Sequence, residues 1–223
     1  MGTRFGLLGC GNIGGEIADA IDKKVIEGVV SAVYDIKREN AVLLAKKLKK
    51  KPYVAPNYKA LLSRSDCIIE AASQEAVKKF IPEALANGKN VLIMSVGALM
   101  DEKIRKRIYA LADRKNANIY LPSGAVCGID GLSAASICGV EEVTLTSTKP
   151  PKGLVGVPYL EKKGVDVTKL KNATVVYEGF ADEAAKFFPK NINVAAITTL
   201  ASGKKAKVRI ICDPKTKTNT HEI

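Results

Sequence analysis

The stretch Arg4-Phe5-Gly6-Leu7-Leu8-Gly9-Cys10-Gly11-Asn12-Ile13-Gly14 decides the architecture. Arg4 to Leu8 reads as a short buried strand, and from Ile13 the apolar spacing lengthens to that of a helix reaching Ile21. Between them stand three glycines at the spacing G-x-G-x-x-G. Each has its own reason there. Gly9 permits a tight turn out of the strand, Gly11 lets a ligand approach the backbone, and Gly14 lets the helix sit close on the strand. The N-terminus of such a helix, around Asn12 and Ile13, presents free N–H groups and the positive end of its dipole, which suits a phosphate.

Outward from that loop, Val29 to Tyr34 forms a second strand that runs into Asp35, 21 residues after Gly14. An acid at that place accepts hydrogen bonds from the two hydroxyls of a ribose. Strand, glycines, helix and acid together predict a dinucleotide site. S-adenosylmethionine and flavin sites share parts of the pattern. Lys37 and Arg38 follow Asp35 at once and suit a 2′-phosphate, so NAD and NADP both stay open. Small residues recur after later strands, in Ala71-Ala72-Ser73 and Ser95-Val96-Gly97-Ala98, where a cofactor can lie against backbone. The cofactor-binding residues read from this pattern are Gly9, Gly11, Asn12, Ile13, Gly14, Asp35, Ala72 and Ser73.

Apolar runs at Cys67 to Glu70, Val91 to Met94 and Ile119 to Leu121 alternate with helical patterns at Glu39 to Lys50, Gln74 to Asn87 and Asp101 to Asn116. Continuous apolar strands between amphipathic helices mean a parallel sheet covered on both faces. The expected fold is α/β: a doubly wound parallel sheet of the Rossmann type over residues 1–122. A second, smaller α+β domain is expected over residues 123–223. There, Val143 to Thr148, Ala173 to Tyr177 and Ala206 to Cys212 have strand propensity. Gly131 to Ile137, Asp182 to Phe188 and Ile192 to Ala201 look helical.

The 223 residues are 47% hydrophobic and 26% charged, which excludes a disordered chain. The +12 net charge is spread over several Lys/Arg runs without a zinc signature or an aromatic RNA-reading motif. It therefore points to solvated helix faces and anionic small molecules rather than nucleic acid. No apolar run is long enough to span a membrane, and the start of the chain lacks a secretory signal. Five cysteines without a C-x-x-C pair suit reduced thiols, and with them a cytoplasmic protein.

The second domain holds the candidates for chemistry. His221 is the single histidine, so an imidazole acid or base has no other source. As a near-terminal residue it reads equally as part of a solvated tail. Ser123 directly follows the last strand of the first domain. Lys149-Pro150-Pro151-Lys152 reads as a stiff basic turn for a substrate carboxylate, or as an ordinary loop. Asn191 and Asn193 flank a helix start, where either also serves as a cap. No nucleophilic triad and no metal-ligand cluster can be assembled. A hydride-carrying cofactor asks the protein only for orientation, anion recognition and one proton-transfer group.

In these stretches the chain resembles the L-aspartate dehydrogenase family, especially its archaeal members. The resemblance rests on Gly6 to Gly14, Glu70-Ala71-Ala72-Ser73 and Pro122-Ser123-Gly124-Ala125. It continues through Lys149-Pro150-Pro151, Phe188 to Ala196, Asp213-Pro214 and Asn219 to Ile223, in the family's order. It implies NAD(P)-dependent oxidation of L-aspartate to iminoaspartate. That product hydrolyses to oxaloacetate and ammonia or feeds quinolinate and NAD synthesis. It also implies a homodimer, contacts to the cofactor from Ala125 and Asn191, and His221 as the active-site residue. Ser123, Lys149 and Asn193 are then the candidates for the substrate. Relatives carry Arg before the Lys-Pro-Pro turn, where this chain has Thr148. They also continue past His-Glu-Ile with a strand and a helix, so the second domain is expected to be shorter than theirs. Two other readings stay beside this one. They are a dihydrodipicolinate- or homoserine-type reductase and a non-catalytic dinucleotide-binding module.

Overall fold

The computed structural model describes residues 2–188 and 192–223, and the chain divides into two units, Met1–Pro122 and Ser123–Ile223. In the first, strand and helix alternate: β1 (Arg4–Leu8), α1 (Asn12–Asp22), β2 (Val29–Tyr34), α2 (Arg38–Lys47), β3 (Tyr53–Val54) and α3 (Tyr58–Leu62). Then come β4 (Cys67–Glu70), α4 (Gln74–Ala86), β5 (Asn90–Ile93), α5 (Glu102–Lys115) and β6 (Ile119–Tyr120). Every pairing is parallel, and among the described residues the six strands lie in the order β3-β2-β1-β4-β5-β6. The order reverses between β1 and β4, whose register sets Leu8 beside Glu70. Ligands of open α/β sheets lie outside the strand ends at such a reversal.

The chain forms these elements for local reasons. The strands are apolar on both faces because helices cover both. Leu7, Val30, Val33 and Ile69 pack with Ala18, Ile21 and Leu44 in one core. Asp101 caps α5 by accepting from the N–H groups of Lys103 and Ile104 at 3.0 and 3.3 Å. Two features depart from the sequence pattern. The helical run from Glu39 ends at Lys47 rather than Lys50, because the Asp22 carboxylate accepts from the N–H groups of Lys49 and Lys50 at 2.7 and 3.1 Å. The short elements β3 and α3 had no reading in the sequence at all.

The second unit contains α6 (Ile129–Cys138), β7 (Thr144–Lys149), α7 (Pro158–Lys162), β8 (Thr174–Phe180) and α8 (Ala181–Phe187). It ends with α9 (Asn193–Ser202), β9 (Lys207–Cys212) and β10 (Thr220–Glu222). Among the described residues its sheet has four strands in the order β10-β7-β9-β8, with β7 and β9 parallel and the edge pairs antiparallel. β7 alternates along its length, so Leu145, Ser147 and Lys149 are buried. The buried residues of β9 are Val208, Ile210 and Cys212. Tyr159, Tyr177, Phe187 and Phe188 form an aromatic cluster, with the rings of Tyr159 and Phe187 4.5 Å apart. Among the described residues no helix is long and apolar enough to cross a membrane.

Candidate active site

In the first unit the glycine turn makes a cradle. Gly9 has φ +97°, a backbone state that side chains resist, and a Cβ there would meet the Ala71 carbonyl oxygen at 2.7 Å. At Gly14 a Cβ would stand 2.2 Å from the Gly9 carbonyl oxygen, so only glycine lets α1 approach the turn. Gly11 faces open space. It is also the N-cap of α1, and no side chain caps that helix, so the first-turn N–H groups around Asn12 and Ile13 remain for an anion. These observations fit the phosphates of a dinucleotide.

Asp35 closes the other side of the turn. Its Oδ2 accepts from the Cys10 N–H and its Oδ1 from the Lys37 N–H, both at 2.8 Å. The carboxylate thus fixes the loop while keeping lone pairs for ribose hydroxyls. The Cys10 thiol is pushed up to about 12 by burial and then by the Asp35 charge, which leaves it an unreactive part of the loop. Ile36 is 89% exposed and offers an apolar face next to the acid. The pattern reading passed over it, although an apolar residue directly after the acid was its signal.

Ala72 and Ser73 are exposed at the end of β4, and Ser73 caps α4 through the Ala76 N–H at 3.1 Å. What places them is Glu70, which the sequence shows as the end of an apolar run and the start of a family-like stretch but to which it assigns no role. Glu70 is 0% exposed. Its Oε1 accepts from the N–H groups of Ala72 and Ser73 and from the Ser95 hydroxyl, at 2.8, 2.9 and 3.0 Å. Its Oε2 accepts from the Ser95 N–H at 3.0 Å. One carboxylate thereby ties together the loops after β4 and β5, both at the carboxyl edge of the sheet. Burial raises its proton affinity above the ordinary carboxylate value, and the four hydrogen bonds oppose that rise.

In the second unit β10 lies antiparallel on β7 with His221 opposite Ser147, and the Ser147 hydroxyl is 2.9 Å from His221 Nδ1. His221 is therefore held in a sheet rather than in a solvated tail. Lys149, two residues along the same face, is the last residue of β7 and is 3% exposed. This corrects the reading of Lys149 as part of a solvated turn: the strand continues one residue further, and only Pro150 begins the turn. Among the described residues no carboxylate pairs with its ammonium, and burial lowers its proton affinity. The His221 imidazole is lowered too, by burial and then by the Lys149 charge. Thr148 alternates to the opposite face of β7, so the family's Arg position does not lie on the His221 side. Ser123 and Ala125 are exposed at the start of this unit, and Asn193 opens α9 with Ile192 at its cap position. Asn191 lies outside the described residues.

An uncapped helix end over a glycine turn, an acid closing the next strand, and a smaller mixed-sheet unit with a histidine define an NAD(P)-dependent oxidoreductase. Comparison with known proteins is more specific. Residues 9–122 match the family described as "Homoserine dehydrogenase, NAD binding domain", and residues 130–223 match "Aspartate dehydrogenase, C-terminal". The chain is 45% identical over 222 residues to the L-aspartate dehydrogenase of Methanosarcina barkeri, covering 99% of this chain and 82% of that protein. The Nitrosopumilus maritimus L-aspartate dehydrogenase is 41% identical over 223 residues, with the same coverage. Among solved structures, aspartate dehydrogenase from Thermotoga maritima superposes with a TM-score of 0.73 at 32% identity, covering 98% of this chain and 82% of that one. A myo-inositol dehydrogenase from Lactobacillus casei, at 14% identity and TM-score 0.65 over 99% of this chain and 71% of that one, shares the fold alone. The chain belongs to the L-aspartate dehydrogenase family.

Proposed function

We propose that this protein oxidises L-aspartate at Cα with NAD or NADP, giving iminoaspartate, which water converts to oxaloacetate and ammonia. The observation that carries the reading is the Ser147, Lys149 and His221 group on one face of the second sheet, in a chain of this family. When bound, the cofactor supplies the hydride acceptor. The protein supplies the rest. Gly9, Gly11, Asn12, Ile13 and Gly14 hold the pyrophosphate, Asp35 the adenosine ribose, and Ile36 an apolar face for the base. Ala72 and Ser73, positioned by Glu70, line the cofactor further along, with Ala125 and Asn191 as additional contacts. Lys149 holds a substrate carboxylate as an ion pair in a water-poor setting, where such a contact is strong. Ser123 and Asn193 assist in binding the substrate. His221 moves the proton at the amine or at the attacking water.

The protein is further proposed to be a cytoplasmic homodimer that feeds pyridine nucleotide synthesis. Its free cysteines support the compartment. The dimer is supported by α6, whose apolar sequence buries no residue and leaves Ile137 87% exposed. The test is to follow NADH on adding oxaloacetate and ammonium. Consumption that needs both reagents supports the reading. Consumption with oxaloacetate alone, or with a dihydrodipicolinate or aspartate-semialdehyde substrate instead, contradicts it.

A further inference from the structure

Ser147 is 4% exposed, so its hydroxyl is a buried polar group that needs a partner. The His221 Nδ1 atom 2.9 Å away is the one acceptor, among the described residues, for its hydroxyl proton. A buried hydroxyl proton without an acceptor forfeits its hydration, so this proton belongs on the bond to the ring. We propose that Ser147 is a positioning residue for His221: its O–H donates to Nδ1 of the neutral imidazole and so fixes the Nε2–H tautomer. The inference rests on the reading of His221 given above and deepens it. The nitrogen on the far side of the ring from Ser147 then carries a proton at rest.

The surroundings keep that state neutral. Lys149 lies on the same face of β7, and its ammonium opposes a second positive charge on the ring. Thr146, Thr148 and Glu222 alternate to the other face. On β9 the buried positions hold Ile210 and Cys212, whose thiol burial keeps protonated, and α9 carries no titratable side chain. A neutral N–H and an ammonium on one face of the sheet are both donors, which suits an anionic substrate. Alanine in place of Ser147 removes the donor and leaves either ring nitrogen free to carry the proton.

The single histidine makes the test direct, because ¹⁵N-histidine labelling of the whole chain yields one imidazole. In the cofactor-free protein above its titration, the ring is expected to show Nε2–H with Nδ1 unprotonated. In Ser147→Ala the Nδ1–H form, which an unheld ring always samples, is expected to reappear. Ser147→Thr, which keeps a hydroxyl and suits a strand, restores the wild-type spectrum. With L-aspartate, Ser147→Ala is expected to lose about tenfold in kcat, the scale of one hydrogen bond, with KM for the cofactor unchanged. Thermal melting of each variant checks that it folds. An Nδ1–H ring in the wild type, or an unaltered tautomer in Ser147→Ala, overturns the proposal. Because the ring is read without substrate, a correct tautomer in a chain inert toward aspartate supports the Ser147 role and counts against the reaction.

Discussion

Replacing Lys149 by Met removes a buried ammonium and keeps the length of its stem. If Lys149 is held ready for a substrate carboxylate, the substitution should stabilise the fold while impairing function. Lys149 is 3% exposed, and no described carboxylate pairs with it. Full burial of a side chain the size of Met contributes about 1.5–3 kcal/mol, part of which the lysine stem already provides, and relief of the uncompensated charge adds to the gain. A net stabilisation of about 1–2 kcal/mol follows, which in a chain of this size raises Tm by about 2–8 °C. Loss of a charge-assisted contact of about 1.5–3 kcal/mol should raise KM for L-aspartate roughly 10–100-fold, with KM for the cofactor unchanged. The stability gap also depends on pH. Burial lowers the Lys149 proton affinity, so below the ordinary value of 10.5 the unfolded chain binds more protons than the folded one. Wild-type stability from this residue therefore rises with pH through that window, and the gap to Lys149→Met closes in alkali. Circular-dichroism melts at several pH values and steady-state kinetics read both effects. A lower Tm with an unchanged KM for aspartate would refute the assignment and make Lys149 a structural residue.

Other substitutions test the remaining parts of the site. Glu70→Gln sets an amide N–H₂ against a backbone N–H within the bridge between the loops after β4 and β5. It should cost about 1–3 kcal/mol and weaken NAD binding measured by calorimetry, whereas an unaltered affinity would mean that Glu70 is structural only. Gly14→Ala drives a Cβ to 2.2 Å from the Gly9 carbonyl oxygen, so NADH fluorescence titration should find binding lost or at least tenfold weaker. His221→Ala should lower kcat by roughly 10²–10⁴-fold with cofactor affinity unchanged, and near-normal turnover would remove His221 from the chemistry. Because burial and Lys149 lower the imidazole below 6.5, the unfolded chain takes its proton first as pH falls. The wild type should therefore lose stability as pH drops through the window below 6.5, and His221→Gln should flatten that slope in denaturant titrations.

The parts of this molecule legible in the sequence are those set by local physics. The Gly9 to Gly14 turn and the strands before and after it each follow from neighbours a few residues apart. β3 and α3 escaped notice because two and five residues are too few to show a period. The end of α2 depends on Asp22, far earlier in the chain. Glu70 looked like the end of a buried strand because its partner Ser95 lies 25 residues further on. The same holds in the second unit, where the Ser147–His221 pair joins positions 74 residues apart. Lys149 passed for a solvated turn residue because Pro150 and Pro151 follow it. Only the β7–β10 register shows that it shares a face with His221. Residue chemistry raised His221 only as the single imidazole and Asn191 only as a cap candidate, and the family resemblance gave each of them an expected role.

The most direct test of the account is to incubate the protein with L-aspartate carrying deuterium at Cα and oxidised cofactor, and to weigh the reduced cofactor by mass spectrometry. Transfer from Cα predicts reduced cofactor one mass unit heavier, formed together with oxaloacetate and ammonia. Reduced cofactor without the label, or none in a chain that binds NADH, would contradict an amino-acid dehydrogenase acting at that carbon.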